Sequence, residues 1–167
     1  MKHRKKRSSR RCGFTLAEMI VVMVVLGIAA AVAIPYAVAT SDSQARSAAR
    51  NLETDLQYAQ NYAITHQMPV SVTFDASAES YSLSNASGTL IHPMSKSEYV
   101  IQFGPDQQFD DVDIVSAGFG ADGGKVTFDE LGAPESPGTV VIQAGPHVYE
   151  VSVKAATGKI TLNRQGS

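Results

Sequence analysis

The sequence predicts an α+β fold, a lollipop in which one long N-terminal helix lays its outer half on an antiparallel β-sheet domain. Three observations predict it. An uncharged apolar run lies near the N-terminus, the next stretch repeats alanine and leucine at helical spacing, and from residue 69 onward short alternating segments are separated by Gly, Pro, Asn and Asp.

The first 13 residues carry seven basic side chains, Lys2, Arg4, Lys5, Lys6, Arg7, Arg10 and Arg11, and no acidic one. Of 14 Lys/Arg in all, 7 remain beyond them against 16 Asp/Glu, so residues 14–167 carry a formal charge of −9 beneath a net charge of −2. Cys12 is the single cysteine and cannot close an intrachain disulfide, so any extracytoplasmic stability must come from packing. A lipoprotein cysteine would follow an apolar stretch, whereas "SSRR" precedes Cys12.

Met19 to Ser41 is uncharged over 23 positions. As a helix it would be about 34 Å long, enough to cross a hydrocarbon layer of about 30 Å. The basic residues ahead of it hold the N-terminus in the cytoplasm and send everything after Ser41 outward. An ordinary secretory signal ending near "AVA" is the rival reading, but the run exceeds the usual apolar core of about 7–15 residues, and Glu18 stands at its entrance. An uncleaved signal anchor accounts for neither Glu18 nor the Gly13–Phe14 junction. A carboxylate at the centre of a membrane helix costs about 2.5–3.5 kcal/mol, so Glu18 needs a partner or a function, unless it merely snorkels at the membrane surface. Pro35 has no N–H to donate and is expected to kink or loosen the helix.

The order of basic leader, Gly13, Phe14, Thr15, Leu16, Ala17, Glu18 and a long apolar run resembles the class III signal of type IV pilins and type II secretion pseudopilins. Ala17 departs slightly from it, a larger aliphatic being common there. Gly27 and Pro35 match the glycine and proline usual within the family's apolar segment. The resemblance implies cleavage between Gly13 and Phe14 by a prepilin peptidase and N-methylation of Phe14. It also implies that Glu18 meets the new ammonium of a neighbouring subunit and so sets the axial stagger of a filament. Within one helix the same amine and carboxylate would lie one turn apart.

Beyond the apolar run, Ala45, Ala48, Ala49, Leu52, Leu56, Ala59 and Ala63 recur every three or four residues, with Arg46, Arg50, Glu53 and Gln57 between them. That is an amphipathic helix, and the simplest reading is one helix from about Phe14 to His66. Strands are predicted at 69–74, 80–84, 99–103, 111–115, 125–130, 139–143, 148–153 and 159–162, forming one sheet against the helix. The resulting division is a leader at 1–13, a transmembrane and assembly half-helix at 14–41, and an extracytoplasmic domain at 42–167 with its helix at about 42–66 and its strands within 69–162. "ARNLETDLQYAQNYAITHQMPVSVTF", "VTFDELGAP", "TVVIQ", "VYEVSV" and "ATGKITL" are similar to the GspH/FimT family of minor pseudopilins and minor pilins, which implies a pilin-like lollipop.

Other chemistries find little support in the residues. His3, His66, His92 and His147 show no metal-ligand spacing and read as surface or turn residues. Gly118, Gly120 and Gly123 satisfy G-x-G-x-x-G, but a strand-like "KVTFDE" follows where a phosphate site needs a helix, so a flexible hairpin connection is expected. Asp106, Asp110, Asp111 and Asp113 could suggest calcium, yet Val112 between carboxylates reads as strand alternation with a solvated acidic face. Lys154, Lys159 and Arg164 could touch phosphates, but a charge of −9 disfavours nucleic acid. No serine stands in a nucleophile-elbow context, so no enzyme and no cofactor is expected.

The expected function is that of a minor pseudopilin or pilin subunit in the inner membrane. Its implied partners are the prepilin peptidase, other pseudopilins or pilins in a filament, and the inner-membrane assembly platform. The rivals are a signal-anchored extracytoplasmic binding module, a minor pilin for DNA uptake, and a major pilin subunit.

Overall fold

A computed structural model describes residues 15–104, 109, 111–120 and 123–166, with only the backbone described for 32–40. The chain divides into two units, Met1–Ala37 and Val38–Ser167. One helix, α1, spans Leu16–His66.

In the first unit, Thr15 caps the helix: its Oγ1 accepts the Glu18 backbone N–H at 3.2 Å. Thr15 and Glu18 are spaced as in a capping box, with the carboxylate in the first turn, where the helix dipole favours negative charge. The helical backbone continues through Pro35.

In the second unit, the helical stripe read from the sequence is the buried face. Ala45, Ala48, Ala49, Leu52, Leu56, Ala59 and Ala63 are all at most 1% exposed. Burying Leu52 and Leu56 is worth about 1.5–3 kcal/mol each. The helix stops in a Schellman turn. Gln67 takes φ 52°, the Met68 N–H reaches the Ala63 carbonyl at 3.2 Å, and Gln67 Nε2 donates to the Ile64 carbonyl at 2.7 Å. Pro69 then directs the chain into the first strand.

Among the described residues nine strands follow: β1 Val70–Asp75, β2 Ser80–Asn85, β3 Gly88–Thr89, β4 Val100–Gln102, β5 Asp113–Phe119, β6 Lys125–Phe128, β7 Gly138–Ala144, β8 His147–Val153 and β9 Ile160–Gln165. They form two sheets, where the sequence reading expected one. The first has the order β3-β2-β1-β6, with β4 also paired to β2, and the second has the order β5-β7-β8-β9. All pairings are antiparallel.

The split comes from the segment expected to be a hairpin. β5 and β6 are neighbours in sequence but do not pair: β5 pairs with β7 and β6 with β1. Between them Gly120 (φ 51°) and Gly123 (φ 67°) adopt left-handed conformations, which turn the chain from one sheet to the other. The second crossing, after Phe128, starts with Asp129 Oδ1 accepting the Leu131 and Ala133 N–H groups at 2.9 and 2.8 Å, and this ends β6 two residues before the expected limit.

Both sheets and the helix share one core. Val70, Val72, Phe74, Tyr81, Leu83, Val126 and Phe128 come from the first sheet, and Ile114, Phe119, Val140, Ile142, Val151 and Val153 from the second. The alternation along β7 and β8 is what a sheet with one buried face requires.

Candidate functional site

The two sequence features tied to processing, Gly13 and Phe14, lie outside the described residues, as do Asp106 and Asp110. Glu18 is exposed in the first turn of α1, and the Pro35 side chain is not among those described. Around Glu18 the helix is apolar on every face and exposed on every face: Leu16, Ile20, Val21, Met23, Val24, Val25, Leu26 and Ile28 are all 54–79% accessible. A helix that is hydrophobic all round requires lipid or other helices about it. Among the described residues no helix is long and apolar enough to cross a membrane, and the side chains of 32–40, which complete the expected span, lie outside them. The cap by Thr15 went unread in the sequence, although "TLAE" has the T-x-x-E spacing that signals it.

In the second unit three polar side chains tie α1 to the β-rich part of the chain. Asp55 accepts the Tyr81 hydroxyl at 2.6 Å and the Tyr99 hydroxyl at 2.9 Å, one on each oxygen. Burial raises the Asp55 pKa above the usual carboxylate value, and the two phenol hydrogen bonds act against that rise. The phenols are pushed up in turn, by burial first and by the Asp55 charge second, so they remain protonated donors. Gln60 Nε2 donates to the Gly132 carbonyl at 2.7 Å and, at 3.4 Å, to the carbonyls of Thr157 and Gly158, joining the β6–β7 and β8–β9 connections to the helix. Asp42 accepts the Tyr149 hydroxyl at 3.0 Å and lies 3.4 Å from both Arg164 and His147.

These contacts revise the reading of His147, while His92 and His66 fit the expectation of turn and surface residues. His147 is mostly buried at the start of β8 and takes part in the Asp42 cluster, so it is not a simple surface residue. His92 organises a turn, its Nδ1 accepting the Met94 and Ser95 N–H groups at 3.2 Å each. His66 is exposed and stacks on Tyr62 at 3.8 Å between ring centroids. Asp111 and Asp113 are exposed while Val112 between them is buried, with Asp113 opening β5. Among the described residues no group of three or more His, Cys, Asp or Glu is placed to hold a metal. Lys154 and Lys159 are exposed around the β8–β9 turn, and Arg164 is drawn into the Asp42 cluster.

The fold is shared with solved structures of minor pseudopilins and minor pilins. The minor pseudopilin EpsH from the type 2 secretion system of Vibrio cholerae aligns with 74% of this chain and 99% of its own, at 15% identity and a TM-score of 0.58. A second EpsH crystal structure aligns with 75% of this chain and 97% of its own, at 14% identity and 0.58. The type IV minor pilin FimU of Pseudomonas aeruginosa PAO1 aligns with 74% of this chain and 91% of its own, at 22% identity and 0.52. At these identities the likeness establishes the fold alone. No curated protein sequence matches the chain. Residues 8–34 match the prokaryotic N-terminal methylation motif, and residues 48–166, well over half of the chain, match the profile of Type II transport protein GspH. The chain therefore belongs to the GspH family, as a minor pseudopilin or minor pilin subunit.

Proposed function

We propose that residues 14–41 hold the subunit in the cytoplasmic membrane as a single pass, with the N-terminus cytoplasmic and residues 42–167 extracytoplasmic. A prepilin peptidase removes residues 1–13, cutting between Gly13 and Phe14, and Phe14 is N-methylated. The inner-membrane assembly platform then moves the subunit into a filament of pseudopilins or pilins. The observation that carries this reading is the exposed helix 16–28, apolar but for Glu18, lying within the residues that match the methylation motif.

Moving that helix from lipid to neighbouring helices gains little hydrophobic energy, because lipid is already apolar. Selectivity then falls to close packing at small residues and to polar pairing. Gly27 has open space where a side chain would begin, so any crowding there comes from another subunit. Glu18, capped in the first turn and exposed, is the proposed partner of a neighbour's N-terminal ammonium, and Pro35 is the proposed point of helix loosening on assembly.

The test is the intact mass and N-terminal residue of the protein from its native membrane, with and without active prepilin peptidase. A chain starting at N-methylated Phe14 only with active peptidase is expected. A chain retaining residues 1–13, or cut near Ala39, overturns the reading. Glu18→Ala is expected to be processed normally yet lost from filaments, and filament incorporation at parental levels would refute the pairing role.

A further inference from the structure

One cavity in the second unit combines charge and position in a way that filament assembly leaves unexplained. It is open, about 420 Å³ in volume, and lined by Asp42, Arg46, Arg50, Tyr149, Leu162 and Arg164. Arg46 and Arg50 are four residues apart, hence on one helix face, and both are exposed. Among the described residues neither forms an ion pair with a carboxylate. Asp42, the one acid in the lining, is already engaged by Arg164, His147 and the Tyr149 hydroxyl. The cavity therefore presents two uncommitted guanidinium groups beside a compensated acid, the donor set that binds a phosphate or carboxylate through paired N–H groups.

Position narrows the choice of anion. The uncharged run ends at Ser41, and Asp42, Arg46 and Arg50 follow it on the same helix by about 1.5, 7.5 and 13.5 Å. A headgroup layer occupies roughly 5–8 Å on each side of the hydrocarbon. Helical side chains tilt toward the helix N-terminus, which carries both guanidinium groups back toward that layer. The β7–β8 turn sits at the same level, since a side chain at Gly145 would start 3.5 Å from Ser41.

We propose that this cavity holds the phosphate of an anionic phospholipid headgroup while the subunit is stored in the membrane, an inference that rests on the anchoring described above. The domain's overall negative charge does not prevent this, because it is screened beyond about 8–10 Å while the guanidinium groups act at contact. Leu162 supplies an apolar wall for the glycerol backbone.

The experiment uses the full-length protein in non-ionic detergent, read by NMR of the guanidinium Nε–H groups. The titrants are dihexanoyl phosphatidylglycerol, dihexanoyl phosphatidylcholine, inorganic phosphate and the peptide DQQFDDVD, which stands for an acidic loop of another subunit. Phosphatidylglycerol is expected to shift Arg46, Arg50 and Arg164 selectively. Its affinity is expected to fall about thirty-fold in the Arg46→Gln/Arg50→Gln double variant and to recover in part with lysine at both positions. No preference over phosphatidylcholine, an equal response to inorganic phosphate, or stronger binding of the peptide would each overturn the lipid assignment. Alkaline extraction of native membranes separates the two readings. A chain that resists extraction but shows no headgroup preference refutes this inference alone, whereas a chain that washes off refutes the anchoring as well.

Discussion

Replacing Tyr81 by phenylalanine tests the best-defined polar contact between helix and sheet. The ring is 1% exposed and packs 5.8 Å from Phe74 and 5.9 Å from Phe103 between centroids, contacts that phenylalanine retains. What is lost is the 2.6 Å hydrogen bond to Asp55, leaving a half-buried carboxylate oxygen without its donor. A hydrogen bond to a charged group is worth about 1.5–3 kcal/mol, so the expected loss is about 2 kcal/mol, or about 6 °C in Tm for a domain of this size. The pH dependence carries a second signature. Burial raises the folded pKa of Asp55 above 3.8, so this group's stabilising contribution is complete below the unfolded value and drains away as pH rises through the folded value. Since the Tyr81 bond lowers the Asp55 pKa, deleting it raises that pKa further and makes the drain larger. The deficit of Tyr81→Phe relative to the parent must therefore be smaller at a pH of about 3 than at neutral pH. The assay is thermal unfolding of the full-length protein in detergent by near-ultraviolet circular dichroism at both pH values. A neutral-pH Tm within about 1 °C of the parent, or a deficit that grows on acidification, would refute the account.

Gln60→Ala removes the donor shared by Gly132, Thr157 and Gly158, and should cost about 1–2 kcal/mol while increasing amide exchange in both loops; exchange confined to one loop would contradict the shared anchor. Gly138→Ala would drive a methyl group into the Gly118 carbonyl and the Phe119 ring on the neighbouring strand, so a loss of about 3 kcal/mol or failure to fold is expected, read by chemical denaturation.

What the sequence made legible follows the range of the physics involved. The buried helix face from Ala45 to Ala63 was readable because helical period and burial coincide there, with no partner needing to be known. Strand positions such as β1, β7 and β8 fell within a residue or two of expectation for the same reason. The two-residue β3 was missed, because so short a run has no period to detect. The division into two sheets was also missed. "GFGADGG" marks a turn, but its residues do not state whether the next strand returns to β5 or crosses to β1. The candidate site divides along the same line. The junction at Gly13 and Phe14 and the carboxylate Glu18 are local patterns. The ties of Asp42 to Tyr149 and of Asp55 to Tyr81 and Tyr99 join residues separated by 107, 26 and 44 positions, and nothing near Asp42 or Asp55 names those partners.

The spacing of those ties has a mechanical consequence. Asp42 and Asp55 fasten α1 to strand-borne or strand-flanking tyrosines and Gln60 fastens it to two loops, at heights spread over about 27 Å of helix, and between them the alanines let the helix backbone lie close to the sheets. A pull along the helix from its N-terminal side loads these fasteners in shear, all at once, instead of peeling them one after another. Within the second unit the helix and the strands therefore resist sliding past one another at several points together, so that no single tie bears the load.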